Sequence, residues 1–290
     1  LSNAEVQRLC NLNYENEVAF VATAGPREAA QIVAQACYFI NPTTNLADTA
    51  FTPWGDRSAD WVQARCEQLS AWLIAQGADL VLVACNTGTT QAIGALRAGW
   101  PGQHFVGVEP GIKPAVAASR NGRVAVMATT GTLRSARLQQ LVASHAGGAQ
   151  VLQLPCPGLA DAIEAAGADP APLQQQLVAI AQTIAASGAD TVVLGCTHYP
   201  LVADALQALL GPGVQLLDTA DAVARRVASL LDLPTPADLR GTPPSATPPP
   251  LQLLATAHPA ALQQAALRWL GHGGAVQLLQ LPGDAGTSRA

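Results

Sequence analysis

One eleven-residue segment occurs twice in this chain, and it constrains the fold more than any other feature. Residues 77–87 read GADLVLVACNT and residues 188–198 read GADTVVLGCTH. Aligned without a gap at an offset of 111, the Gly, Ala, Asp, second-following Val and Cys positions coincide. Each copy reads as a helix end, a glycine turn, an apolar strand and a cysteine at the strand's carboxyl end. A strand that is apolar on both faces belongs inside a parallel sheet covered by helices. Ligands of open α/β sheets bind beyond the carboxyl ends of such strands. Two halves related by a pseudo-two-fold axis would therefore aim Cys85 and Cys196 into one shared cleft. A lone cysteine is usually a small buried core residue. Two at equivalent positions, each followed by polar residues, favour chemistry instead.

The rest of the chain fits an α/β architecture of two similar Rossmann-like halves with parallel sheets. Strands are predicted at 18–22, 80–84, 105–108, 124–128, 151–154, 191–195 and 214–217. Helices are predicted at 59–76, 90–98, 112–118, 133–144, 159–165, 172–187, 201–210 and 218–231. Alternation at this spacing puts helices on both faces of each sheet. Seven prolines between residues 233 and 250 mark a linker that can hold neither helix interior nor central strand. A strand at 251–255, a helix at 259–270 and a strand at 275–281 follow, then a loose tail. The expected division is residues 1–99 with a C-terminal return of about 219–290, and residues 100–218. Trp61 and Trp72, eleven apart on one helix, read as packing against the sheet.

Composition narrows the partners. Lys plus Arg total 15 against 20 for Asp plus Glu, a net charge of −5. No basic surplus exists to neutralise phosphates, so nucleic acid is not an expected partner. No apolar run reaches the roughly 18 to 20 residues that span a bilayer, so no membrane partner is expected either. Six cysteines form no C-x-x-C pair and are too sparse for a disulfide-stapled fold, which suits reduced thiols in a cytoplasm. Cys10, Cys37, Cys66 and Cys156 lack a repeat partner and read as core or surface thiols. His104, His145, His258 and His272 show no metal spacing. Lys113 is the sole lysine, so a pyridoxal aldimine would have one amine to use.

A thiolate and a thiol on opposite sides of one carbon can remove a proton from one face and deliver one to the other. The result is inversion. Running the reaction backwards only exchanges the roles, so near-symmetric halves suit a reaction whose product mirrors its substrate, with an equilibrium constant of one. Cysteine suits this because its thiolate is accessible near neutral pH in the right setting. Asn86 and Thr87 follow Cys85, and Thr197 and His198 follow Cys196, where strand turns into helix. Free backbone N–H groups there can bind a carboxylate. His198 could orient a thiol, move a proton, bind substrate, or serve structure alone.

At these residues the chain resembles the glutamate racemases of the cofactor-independent aspartate/glutamate racemase superfamily. ACNT at 84–87 and GCTHYPL at 195–201 look like that family's two signature segments. LADTAFTPWGDRS at 46–58, VGVEPGIKPAV at 106–116, VMATTGTLRS at 126–135 and PGLADAIEAAG at 157–167 agree. The resemblance implies interconversion of L- and D-glutamate without cofactor or metal, supplying D-glutamate for peptidoglycan. It implies Cys85 and Cys196 as the two acid/base residues. Asn86, Thr87, Thr197 and His198 would contact the amino acid. Trp54 and Gly55 match a Pro-Tyr-Gly substrate-binding segment, with Trp for Tyr. Thr130 and Thr132 resemble a carboxylate-binding loop, and Glu164 a residue that supports His198. The implied partner is one small amino acid, with a homodimer compatible.

The resemblance breaks near the N-terminus. Where the family carries Asp-Ser in Phe-Asp-Ser-Gly-x-Gly-Gly, spacing puts Ala22 and Thr23, in VATAGPR at 21–27. Thr23 can replace a serine hydroxyl as a substrate contact, but Ala22 cannot replace a carboxylate. Asp48 or Asp56 could supply the group, or the chain could be a catalytically impaired amino-acid-binding homologue, or the N-terminal sequence could be altered. A related aspartate- or hydantoin-type racemase is a further alternative, using the same two thiols.

Overall fold

Both copies of the repeat begin at a helix stop. Gly77 and Gly188 take φ of 90° and 70°, left-handed values that a Cβ disfavours. Gly77 N–H donates to Ile74 O at 2.9 Å and Gly188 N–H to Ala185 O at 3.1 Å, turning the chain out of the preceding helix. It then enters Leu80–Val83 or Thr191–Gly195, each buried along its whole length.

The computed structural model describes residues 19–22, 43–165, 169–231, 251–270, 273–282 and 284. In chain order come β1 (Ala19–Ala22), β2 (Thr43–Ala47), α1 (Ala59–Ala75), β3 (Leu80–Val83), α2 (Asn86–Gly99) and β4 (His104–Gly107). Next are α3 (Ile112–Ala118), β5 (Arg123–Ala128), α4 (Thr130–Arg134), α5 (Ala136–His145), β6 (Gln150–Pro155), α6 (Leu159–Ala165) and α7 (Ala171–Ser187). Then follow β7 (Thr191–Gly195), a 3₁₀ turn (Tyr199–Val202), α8 (Ala203–Leu210), β8 (Gln215–Leu217) and α9 (Ala220–Leu230). The last are β9 (Leu251–Ala255), α10 (Pro259–Leu270) and β10 (Val276–Leu278). The proline-rich stretch 233–250 and the tail beyond 284 lie outside the described residues. Among the described residues no helix is long and apolar enough to cross a membrane.

The chain is α/β and divides into two units. Leu1–Trp54, Ala59–Val108 and Ala220–Ala290 make the first; Gly55–Ser58 and Glu109–Thr219 make the second. The sequence suggests a change of half at residues 99–100. In the structure β4 bonds along β3, from Leu80↔His104 to Val83↔Gly107, so the first unit runs on to Val108. Phe105 and Val106 supply one apolar residue to each face of that sheet.

The described strands of the first unit run in the order β10-β9-β2-β1-β3-β4. All neighbours are parallel except β1, which is antiparallel to both β2 and β3. One face packs Leu46, Val81, Val83 and Phe105 under Val62, Leu69 and Leu73 of α1 and Ile93 and Leu96 of α2. The other packs Leu80, Leu82 and Val106 against Val223 and Val227 of α9, and Ala47, Leu253 and Ala255 against Leu262 of α10. Each such leucine removed from water contributes about 1.5–3 kcal/mol. The second unit's sheet, β6-β5-β7-β8, is parallel throughout. Val124, Val126 and Val193 pack there against Ile112 and Ala115 of α3 and Leu138 of α5.

Candidate functional site

Cys85 follows β3 and caps α2. Its backbone is extended (φ −147°, ψ 128°), and its Sγ accepts the Gly88 N–H at 3.4 Å while its carbonyl accepts Thr89 N–H at 2.8 Å. The thiol is 5% exposed. A side-chain acceptor at this position satisfies a helix amide that has no partner within the helix. The threonines behind it turn inward: Thr89 Oγ1 donates to Val83 O at 3.1 Å and Thr90 Oγ1 to Asn86 O at 2.9 Å. Thr89 also accepts the Val108 N–H at 2.9 Å. Asn86 donates Nδ2 to Val108 O at 2.9 Å, which fixes the amide's orientation. Its Oδ1 is buried and has no hydrogen-bond partner. Cys66 lies beneath this turn, its Sγ 3.5 Å from where a Cβ on Gly88 would be. Burial, then the neighbouring Cys85, push the Cys66 thiol well above its usual range, so it stays protonated.

Cys196 follows β7, 8% exposed. Here the chain enters a 3₁₀ turn rather than an α-helix: Tyr199 N–H donates to Cys196 O and Leu201 N–H to His198 O, both at 3.1 Å. His198 is 3% exposed and brings Nδ1 to 3.7 Å from Cys196 Sγ. Thr197 is half-buried. The buried Tyr199 hydroxyl donates to Cys156 O at 3.3 Å, tying this turn to the one that leads into α6. Burial, then Cys196, raise the Cys156 thiol from its usual 9.0 to about 12. α6 packs on the 3₁₀ turn and carries Glu164 in its last turn; the Glu164 side chain lies outside the described residues.

Residues 23–227 match the family model described as Asp/Glu/Hydantoin racemase. The chain belongs to the Asp/Glu/hydantoin racemase family. The glutamate racemase of Ectopseudomonas mendocina is 44% identical over 187 residues, 64% of this chain and 71% of that one. A crystal structure of Escherichia coli glutamate racemase, in complex with L-glutamate and the activator UDP-MurNAc-Ala, superposes with a TM-score of 0.69 at 27% identity. That match covers 88% of this chain and 94% of that one. The Bacillus anthracis glutamate racemase shares the fold, with a TM-score of 0.72 at 24% identity over the same shares of each chain.

The remaining expected residues of this racemase-family chain fall as follows. Trp54 is fully buried in the first unit, meeting Trp61 edge-on at 5.5 Å, so its indole is a packing group. Gly55 belongs to the second unit. Its carbonyl accepts the Gly131 N–H at 2.9 Å, and a Cβ there would lie 3.2 Å from Thr129 Cβ, so a close approach requires glycine. Thr130 is half-buried and opens α4, whereas Thr132 is fully buried. Thr129, which the sequence reading missed, accepts the Thr132 N–H at 3.2 Å and donates to Thr132 Oγ1 at 3.0 Å. A threonine just before a short helix is an N-cap signal that could have found it. Thr23 lies outside the described residues.

Two expectations around Ala22 change. Spacing set it where a carboxylate would help the first cysteine. In the structure β1 runs antiparallel to β3, with Phe20 beside Val83 and Ala22 beside Val81. Ala22 thus lies toward the start of β3, away from the end that leads to Cys85. Asp48 is not free to act in its stead, because Arg65 holds its buried carboxylate. Burial raises the Asp48 pKa against the lowering pull of Arg65. Asp56 is exposed, as is Lys113 on the first turn of α3. Among the described residues no group of three or more His, Cys, Asp or Glu is placed to hold a metal.

Proposed function

We propose that this chain interconverts L- and D-glutamate by a two-base reaction without a cofactor. Cys85 and Cys196 serve opposite faces of the substrate Cα, one as thiolate base and the other as thiol acid, exchanging roles with direction. The supporting observation is that both repeat cysteines stand just past a buried strand, each beside its own polar partner: the Gly88 N–H for Cys85, the His198 ring for Cys196. His198 orients the Cys196 thiol and relays its proton. Asn86 Oδ1, a buried acceptor, suits the substrate ammonium. Thr23, Thr87, Thr197 and the backbone of Trp54 and Gly55 complete the contacts, with Thr130, Thr132 and Glu164 in supporting places. The 44% identity to a named glutamate racemase favours glutamate over aspartate or a hydantoin. The product serves peptidoglycan in the cytoplasm.

The test is polarimetry with each L-amino acid, paired with ²H uptake at Cα in deuterated water. Glutamate losing rotation faster than aspartate supports the reading; faster aspartate turnover overturns the substrate. The second reading is a binding homologue with impaired turnover, favoured because Ala22 carries no carboxylate and lies away from the Cys85 end of β3 while Arg65 holds Asp48. Tight glutamate binding with no Cα deuterium at high protein concentration would establish that reading instead.

A further inference from the structure

The loop between β2 and α1 is held by charges that neither cysteine turn uses. Asp48, fully buried just past β2, is gripped at two points by Arg65 of α1. Nε donates to Oδ2 at 2.9 Å and Nη2 to Oδ1 at 2.5 Å. Thr256, one residue past β9, donates to the same Oδ1 at 3.0 Å. The far side of the guanidinium holds Asp284, with Nη1 to Oδ1 at 2.7 Å and Nη2 to Oδ2 at 3.2 Å. Nη1 also reaches Gln68 Oε1 at 2.7 Å. Two carboxylates share one guanidinium at this locus. Apolar side chains would join α1 to β2 and β9 without that desolvation cost. The network therefore calls for a reason beyond cohesion.

The reason lies in what else it fixes. Phe51 N–H donates to Asp48 O at 3.1 Å and Ala50 N–H to Thr256 Oγ1 at 3.0 Å, while Thr49 Oγ1 bonds both backbone groups of Ala257. The guanidinium carbon sits 4.1 Å from the centre of the Phe51 ring. Phe51 meets Trp61 at 6.1 Å, and Trp61 meets Trp54 edge-on, the residue before Gly55. Asp284 is itself fixed: Leu281 N–H donates to its Oδ2 at 3.3 Å, and Gln68 Nε2 bonds Pro282 O at 2.8 Å. Leu281 is buried in the core beside α1. A continuous line of contacts thus runs from Leu281, Pro282 and Asp284 through Arg65 and Phe51 to the indole of Trp54.

We propose that Arg65, gripped between Asp48 and Asp284, is a positioning residue that sets the 48–54 loop so that the main chain at Trp54 and Gly55 meets substrate. Leu281, Pro282 and Asp284 are then part of the working enzyme, although remote in sequence from either cysteine. This rests on the reading of Trp54 and Gly55 as substrate contacts. A loop that is correctly placed only part of the time weakens apparent binding by that fraction and leaves the chemical step alone.

The test uses the full chain with Asp284→Asn and Asp284→Glu. Asp284 is the more exposed of the two carboxylates, 15% against 0% for Asp48, and asparagine keeps its size. Asp284→Asn should raise KM for glutamate about five- to tenfold with kcat changed less than about twofold, and Asp284→Glu should restore most of the loss. Hydrogen–deuterium exchange should quicken in peptides over 48–58 and stay unchanged over 191–202. Unchanged KM, or kcat and KM falling together with exchange faster throughout the first unit, overturns the proposal. If the wild-type chain racemises no glutamate, the functional reading fails, and exchange over 48–58 alone decides the positioning role. Should Asp284→Asn not fold, Gln68→Ala, which cuts the bond to Pro282, gives the same contrast in milder form, and unchanged exchange there overturns it.

Discussion

The two cysteine turns begin from the same repeat and end differently. After Cys85 the chain forms an α-helix at once, and the sulfur takes a backbone amide of that helix. After Cys196 it forms a 3₁₀ turn, which leaves His198 beside the sulfur at 3.7 Å. Pro200 accounts for the divergence: it offers no N–H, so the tight turn carries the chain on to Ala203 before α8 begins. One half pairs its thiol with a fixed dipole, the other with a group that can move a proton. Strand repetition sets where the sulfurs stand; the residues just after them set how each is served.

The strongest way to break this comparison is to remove each sulfur. Cys85→Ala and Cys196→Ala should each lower racemisation by more than about 10⁴-fold in both directions, followed by circular dichroism of either enantiomer. Full activity in one of them would show that a single base suffices. A sharper contrast comes from the neighbours. His198→Gln should cost about 10²-fold in kcat/KM, and Asn86→Ala about tenfold. Because the equilibrium constant is one, both losses must be equal for L- and D-glutamate in kcat/KM. The proton-carrying side should show itself in kcat and KM taken separately, with His198→Gln unequal between directions and Asn86→Ala nearly equal.

The glycines beside the turns separate the halves by stability. A Cβ on Gly195 would lie 2.7 Å from Met127 O, which is backbone and cannot swing aside. Gly195→Ala should lose about 1–3 kcal/mol in urea unfolding. On Gly88 the nearest atoms are Val83 Cγ1 at 3.2 Å and Cys66 Sγ at 3.5 Å, side chains that can give way. Gly88→Ala should stay within about 1 kcal/mol. A further effect, one that depends on pH, concerns the buried thiol of the second unit. Cys156 is raised from 9.0 to about 12, so the folded state keeps a proton that the unfolded state gives up. Its contribution is whole below about pH 9 and is lost progressively toward pH 12. Cys156→Ala should flatten the alkaline fall in stability by up to about 1.4 kcal/mol per pH unit, read from unfolding curves between pH 9 and 10.5.

Much of this was legible because local pattern and burial agree. Thr191–Gly195, Ile112–Ala118 and Leu159–Ala165 fall where the residue pattern puts them. β2 was not legible: TTNLA has little apolar alternation, and it becomes a strand through pairing with β1 and β9. α2 begins four residues before its apolar periodicity does, since Cys85 Sγ accepts the Gly88 N–H of its first turn. The expected helix over 133–144 is two helices, because Ser135 caps the second, accepting the Leu138 N–H at 3.2 Å. At the site, both cysteines and His198 were visible as neighbours in sequence. Arg65 and its carboxylates were not, since Asp48 and Asp284 lie 236 positions apart and only the folded chain brings them together.

The pairing of β9 with β2 has a consequence for how the protein is made. Thr43–Ala47 bonds along Leu251–Ala255, across some two hundred intervening residues. On a ribosome, the second unit has all its strands from residue 123 to 217 before β9 exists. The first sheet must wait with one flank of β2 unpaired, an adhesive edge until the final segment arrives. A chain cut short before residue 251 would therefore display that edge permanently, and aggregation should follow from truncation well before any loss of a cysteine could matter.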